Sequence, residues 1–221
     1  MNKENIPFWI FLGDIHGEFH LLHKIDSIEK AQGVVVTGDI GRMGTRKEVL
    51  QFLDILHNYN KVIFAQIGNI DSFDVNSLFD IQQINLHKKI VQCKDFCLMG
   101  LGGSLPTPFR TKSEYSEEYY QEALNSFTLQ EKKRFTILVS HNPPYKTTCD
   151  KLKIGKHVGS KALLEFIKGY QPEFCVCGHI HEARGQDVIG KTQVYNLGDF
   201  ASGYYGKLLL SDTPVFTLCS L

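Results

Sequence analysis

Short apolar runs alternate with amphipathic stretches through the first third of the chain. Residues 8–12 (Phe-Trp-Ile-Phe-Leu) read as a buried strand. Residues 19–30 predict a helix, with Leu21, Leu22, Ile25 and Ile28 at helical spacing. Residues 34–37 form a second apolar run. Thr45 stands where a helix cap is needed, and Val49, Leu50, Phe52, Leu53 and Leu56 are assigned to that helix's inner face. Residues 62–67 read as a third strand. This β-α-β-α-β order predicts parallel strands joined by right-handed crossovers, and so an α/β chain.

The middle is less regular. Residues 90–93 and 96–98, separated by Lys94 and Asp95, predict a hairpin. A Gly/Pro-rich loop follows over 100–111, then a helix over 114–127 and a strand over 135–139. Residues 143–158 show no period and predict a long loop over a site. Ser160 can cap a helix that ends at Gly169, before a strand over 174–177. The last part turns to strand and turn. Residues 188–189 and 193–195 flank Gly190-Lys191 as a hairpin, and 204–210 and 215–218 read as two more strands. No repeat, low-complexity segment or linker divides the chain, so residues 1–221 are read as one domain.

Composition narrows the classes. Hydrophobic residues make up 43%, enough for a sizeable core. Lys+Arg and Asp+Glu are both 24, so no bulk field marks nucleic acid or an anionic membrane as partner. A nuclease would want a basic groove, which this balance does not support. The six cysteines include no C-x-x-C pair, and Cys175 and Cys177 alternate with apolar residues as in a buried strand. That usage predicts a reducing compartment. The chain starts polar, with Lys3 and Glu4, and the apolar run 8–12 is too short for a signal-peptide core or a membrane span. A cytoplasmic location is the expectation.

Five polar clusters each follow a predicted strand. They are Gly13-Asp14-Ile15-His16-Gly17, Gly38-Asp39, Gly68-Asn69-Ile70-Asp71, Ser140-His141-Asn142-Pro143-Pro144 and Gly178-His179-Ile180-His181-Glu182. In open α/β sheets, sites form outside the carboxyl ends of strands, so the clusters should meet on one edge. Asp14 and His16 are two apart, as are His179 and His181, so each pair can project to one side of an extended segment. Carboxylate, amide and imidazole together suit divalent transition metals. Singly, each cluster has a bland reading: a solvated Asp-x-His, a Gly-Asp turn, a surface histidine pair. The ordered set is much harder to explain by packing.

The ordered set resembles the calcineurin-like metallophosphoesterase superfamily, and the stretch from Gly178 to Gly185 with Asn196-Leu197-Gly198 is similar to its small prokaryotic branch. The likeness spans about residues 8–210. It implies a four-layer α-β-β-α sandwich, two mixed sheets flanked by helices. It implies one metal held by Asp14, His16, Asp39 and His181, and a second held by Asp39, Asn69, His141 and His179. Asp39 would bridge them. The two divalent ions would be Mn, Fe, Zn, Co or Ni, with manganese favoured. A hydroxide between them would attack the phosphorus of a small phosphomonoester or phosphodiester. Asp39, Asn69 and His141 are then the catalytic candidates, and Asn69, Arg42 and Asn142 the candidates for touching substrate.

One departure matters. The superfamily's usual histidine after the asparagine is Ile70 here, which can neither protonate a leaving oxygen nor position phosphate. Weak activity on poor leaving groups and better activity on activated aryl phosphates or phosphodiesters is the expectation. The alternative is a phosphoesterase-like scaffold that binds protein partners; retention of every expected ligand argues against it. Asp71 reads equally as an acceptor behind the ligands or as a helix N-cap. Arg42 reads as a phosphate donor or a surface ion pair, His157 as a loop histidine, and Glu182 with Arg184 as a local pair. Tyr204 and Tyr205 either border the pocket or pack on the sheet. His20, His23, His57 and His87 are taken as bystanders. Oligomeric state is left open, self-association included.

Overall fold

The structure, a computed structural model, describes residues 6–127 and 134–221; Lys3 and Glu4 lie outside them. Strand β1 (Phe8–Leu12) pairs in parallel with β2 (Gly33–Val36), and β2 with β3 (Ile63–Ala65). The crossovers differ from expectation in detail. Between β1 and β2 run two 3₁₀ turns, Phe19–Lys24 and Ile28–Lys30, not one helix. Ser27 breaks the run with a left-handed φ of 59°, a conformation no helix interior admits. The apolar spacing still selected the buried face, since Leu22, Ile25 and Ile28 are all inside.

Helix α1 (Arg46–Leu56) makes the second crossover. It starts on a reciprocal cap in which Thr45 Oγ1 accepts from the Glu48 N–H and Glu48 accepts from the Thr45 N–H. Val49, Phe52, Leu53 and Leu56 are buried, whereas Leu50, assigned above to the inner face, is exposed. Helix α2 (Asp74–Ile81) follows β3, and its Val75, Leu78 and Phe79 pack inward.

The second sheet begins with a hairpin of β4 (Lys89–Gln92) and β5 (Phe96–Leu101). Parallel to β5 lies β6 (Phe135–Ser140), then β7 (Phe174–Cys177). Helix α3 (Glu117–Asn125), capped by Ser116, leads to β6, and α4 (Lys161–Tyr170), capped by Ser160, leads to β7. β8 (Gly185–Ile189) and β9 (Thr192–Asn196) form the second hairpin, with β9 parallel to β7. The chain then returns to the first sheet. β10 (Tyr204–Leu209) runs antiparallel to β1, and β11 (Val215–Ser220) covers β10. The two sheets are ordered β11-β10-β1-β2-β3 and β4-β5-β6-β7-β9-β8, and both are mixed.

Side chains alternate across each strand, so every strand feeds two layers. Trp9, Phe11, Val35, Ile137, Val139 and Val176 fill the space between the sheets. Ile10, Leu12, Val34 and Val36 face α1 through Phe52 and Leu53. Leu138, Cys175 and Cys177 face α3 and α4 through Tyr120, Leu163 and Ile167. The result is the four-layer α-β-β-α sandwich. Burial on both faces explains why the inner strands read as unbroken apolar runs. No described helix is long and apolar enough to cross a membrane.

Candidate metal centre

Every candidate ligand sits just past the carboxyl end of a strand. Asp14 and His16 follow β1, Asp39 follows β2, Asn69 follows β3, His141 follows β6, and His179 and His181 follow β7. Four of these seven residues are left-handed: φ is 52° at Asp14, 47° at His16, 54° at Asp39 and 67° at His179. Each such residue costs about 1–2 kcal/mol, and strain of this kind gathers at functional sites. Strand-end hydrogen bonds hold it in place. The Asp14 N–H donates to the Gly38 carbonyl at 3.0 Å, and the His16 N–H to the Asp39 carbonyl at 3.0 Å. Two glycines are required by close approach. A Cβ on Gly68 would lie 2.1 Å from Asp39 Oδ1, and one on Gly178 would lie 2.2 Å from Asp14 Oδ2.

The side chains gather in two adjoining groups. Ligand atoms of Asp14, His16 and His181 lie within 4.8 Å of one another, as do those of Asp39, His141 and His179. His181 Nε2 is 3.1 Å from Asp14 Oδ1 and 3.2 Å from His16 Nε2. His141 Nε2 is 2.9 Å from Asn69 Oδ1 and 3.5 Å from Asp39 Oδ2. The His179 N–H donates to both Asp14 oxygens, at 3.1 and 3.0 Å, which joins one group to the other.

Electrostatics test whether cations fit. Asp14, Asp39 and Asp71 are buried, and among the described residues no lysine or arginine forms an ion pair with any of them. Buried charges are otherwise paired or hold metals. Imidazoles take up the difference at Asp14 and Asp39; Asp71, pushed up to about 6 by burial and by the Asp39 charge, is met instead by backbone N–H groups. Burial opposes the Asp39 carboxylate, yet the His141 charge and hydrogen bond hold it well below the usual carboxylate range. Asp14 is likewise lowered: burial opposes it, but the His181 hydrogen bond wins. His141, despite burial, is pushed up to about 9 by Asp39. His179 is pushed down to about 4 by burial and by His141. His141 Nδ1 is buried without a hydrogen-bond partner. Crowded nitrogen and oxygen donors, and buried carboxylates with no lysine or arginine partner among the described residues, fit divalent transition ions.

A second tier orients these groups. The Asp71 carboxylate accepts from the N–H groups of Asp39 at 2.8 Å, Ile40 at 3.1 Å and Gly68 at 2.9 Å. It is therefore the acceptor behind the strand ends; the cap position of α2 is Phe73. Asn69 Nδ2 donates to Thr111 Oγ1 at 3.0 Å, which leaves Oδ1 facing His141. Asn196 Nδ2 donates to the carbonyls of Cys149 and Ile180, both at 2.9 Å, and so anchors the His179–His181 loop. The Ile70 side chain offers no proton, but its N–H donates to Asp39 Oδ1 at 2.8 Å.

The softer residues go elsewhere. Arg42 pairs with Glu18 and donates Nε–H to the His16 carbonyl at 3.3 Å. Asn142 is buried beside the site, accepting from the Leu105 N–H at 3.3 Å and donating to the Pro143 carbonyl at 3.0 Å. His157 binds the buried Asp150 carboxylate at 2.6 Å. Glu182 and Arg184 do not pair. Glu182 accepts from the Lys153 N–H, while Arg184 lies 4.1 Å over the Tyr204 ring and donates to the Cys219 carbonyl. Tyr205 packs in the α1-side core. His20, His23 and His57 join neither group, but His87 is a buried part of the frame. Its Nδ1 accepts from the Gly102 N–H at 3.0 Å, and its Nε2 lies 2.9 Å from the Tyr119 hydroxyl. Gly102 opens the loop that carries Thr111, a link that residue type alone did not signal.

Two mixed sheets between helices, with histidine and carboxylate groups clustered at the strand ends, define the metallophosphoesterase class. A model of the calcineurin-like phosphoesterases matches residues 9–183. The chain belongs to that family. It is 38% identical over 187 residues to the uncharacterized protein MJ1162 of Methanocaldococcus jannaschii, covering 83% of this chain and 84% of that one. Among solved structures it is similar to TT1561 of Thermus thermophilus, with a TM-score of 0.75, 16% identity and 98% and 99% of the two chains covered. It is also similar to a dimetal phosphatase from Danio rerio, with a TM-score of 0.70, 15% identity and 98% and 97% covered. At these identities the structural likeness is one of fold.

Proposed function

We propose that this chain hydrolyses small phosphate esters, mono- or diesters, with the aid of two divalent transition ions. One ion is assigned to Asp14, His16, Asp39 and His181, the other to Asp39, Asn69, His141 and His179, with manganese the first choice. The observation that carries the reading is the pair of donor groups, each within 4.8 Å, built on buried carboxylates that pair with no lysine or arginine among the described residues. Ions held there supply Lewis-acid charge to a phosphoryl group and make water acidic enough to attack it near neutral pH. The chain's own residues bind and orient. Asp39 is shared by the two ligand sets, Asp71 fixes the backbone beneath it, and Thr111 aims the Asn69 oxygen. Asn142 lines the same opening. Arg42, tied to Glu18, becomes a phosphate contact only on release from that pair.

The pairing of β1 with β10 joins the start of the chain to its end within one sheet, which supports reading residues 1–221 as one domain. Free thiols at Cys149, Cys175, Cys177 and Cys219 support a cytoplasmic location.

Hydrolysis of bis-p-nitrophenyl phosphate by the Mn²⁺-loaded protein tests the reading, with Asp39→Asn as the control. Turnover should occur in the parent and vanish in the variant. Equal turnover in both would refute the site assignment, and a metal-loaded parent with no turnover on any aryl ester would point to the partner-binding scaffold.

A further inference from the structure

A cleft of about 750 Å³ opens directly from the candidate metal centre, within the size range of small-molecule sites. Asn69, His179 and His181 form its inner end. Away from them the walls are apolar: Leu105, Pro106, Phe109, Leu152, Val158 and Ile180. Three sequence-distant segments supply this surface, the Gly/Pro-rich loop, the long loop before α4, and the residue between the two histidines of the last cluster. Phe109 is 84% exposed at the mouth, an aromatic ring with nothing packed over it. Large apolar side chains held in water beside a concave site mark a place for apolar ligand surface.

Charge sharpens the class. Besides the histidines, the charged side chains that line the cleft are one cation, Lys153, and two carboxylates, Glu182 and Asp199. A second phosphate there would meet more negative than positive charge. Polyanionic esters, such as nucleoside polyphosphates, therefore fit poorly.

We propose that the cleft takes the apolar arm of the substrate, so that the preferred ester carries a single phosphoryl group joined to a hydrocarbon chain or ring. This rests on the metal-centre reading for where the phosphoryl group sits. Binding of non-hydrolysable alkylphosphonates, from methyl to octyl, to the Mn²⁺-loaded protein tests it by calorimetry without any turnover. The affinity should rise about two- to fourfold per added methylene until the walls are covered, with a negative heat-capacity change. Phe109→Ser alters an exposed position and spares the core, and it should narrow the octyl-to-methyl ratio at least threefold. Equal affinities along the series, or no binding, would overturn the proposal. Chain-length dependence in a protein that hydrolyses no ester would uphold it and refute the hydrolase reading instead.

Discussion

Asp71 touches neither donor group's far side yet governs both strand ends. Its carboxylate gathers three N–H groups, from Asp39, Ile40 and Gly68. Residues that orient ligands from behind typically change metal affinity by about 10–100-fold when altered. Asp71→Asn replaces one acceptor oxygen with a donor aimed at those N–H groups. Mn²⁺ affinity by calorimetric titration should fall by about that factor; an unchanged affinity would show that Asp71 only packs. Ile70 carries the second prediction at this scale. Restoring a proton donor with Ile70→His should raise alkyl-ester turnover far more than p-nitrophenyl-ester turnover, since general acid help is worth ~10²–10⁴-fold where the leaving group is poor. A ratio of the two kcat/KM values that does not move would mean that leaving-group protonation does not limit the parent.

Elements position these residues, and His87 shows how a bystander in sequence becomes a strut in space. It lies just before β4, stacked on Tyr115 and bonded to the Gly102 N–H that opens the loop reaching Asn69. Burial, reinforced by Lys88, pushes its pKa down to about 4. The unfolded chain therefore binds this proton first, so the His87 contribution to stability is full above about pH 6.5 and falls as pH drops toward 4. The loss from this one group is on the order of 3 kcal/mol. His87→Gln keeps an acceptor for Gly102 and should flatten the pH dependence of urea midpoints across that window. An unchanged slope would assign the effect to other groups. The same scale shows what the sequence pattern could and could not carry. Buried strands were legible because both faces are covered, and α1 because Thr45 offers a cap ahead of an apolar run at helical spacing; the reciprocal bond from Glu48 was not read. The 19–30 stretch had helical spacing but not a helix, since spacing reports the buried face and not the hydrogen-bond ladder. α2 was signalled only by one reading of Asp71 as a helix cap and was given no range, because it is short, follows Phe73 rather than a capping side chain, and begins among Asp, Asn and Ser residues that also suit turns.

At the scale of the molecule, the candidate centre exists because five strand ends from two sheets face one edge. That convergence was legible, because each donor cluster follows an apolar run and contains Gly or Ser. The left-handed backbone at Asp14, His16, Asp39 and His179 was not, since Asp and His tolerate that region more than most residues without requiring it; long-range hydrogen bonds impose it. Nor was the apolar cleft, whose walls come from loops without period. Net neutrality conceals three buried carboxylates at the candidate centre, an arrangement that bulk charge cannot reveal. The assembly calls for cations, and counting them is the direct test. Elemental analysis of protein equilibrated with Mn²⁺ and passed through a desalting column should find two ions per chain. Asp39→Asn should lower that number, because the proposed assignment gives that carboxylate to both sets. A parent that retains no transition metal, or a variant that retains as much as the parent, would contradict the account.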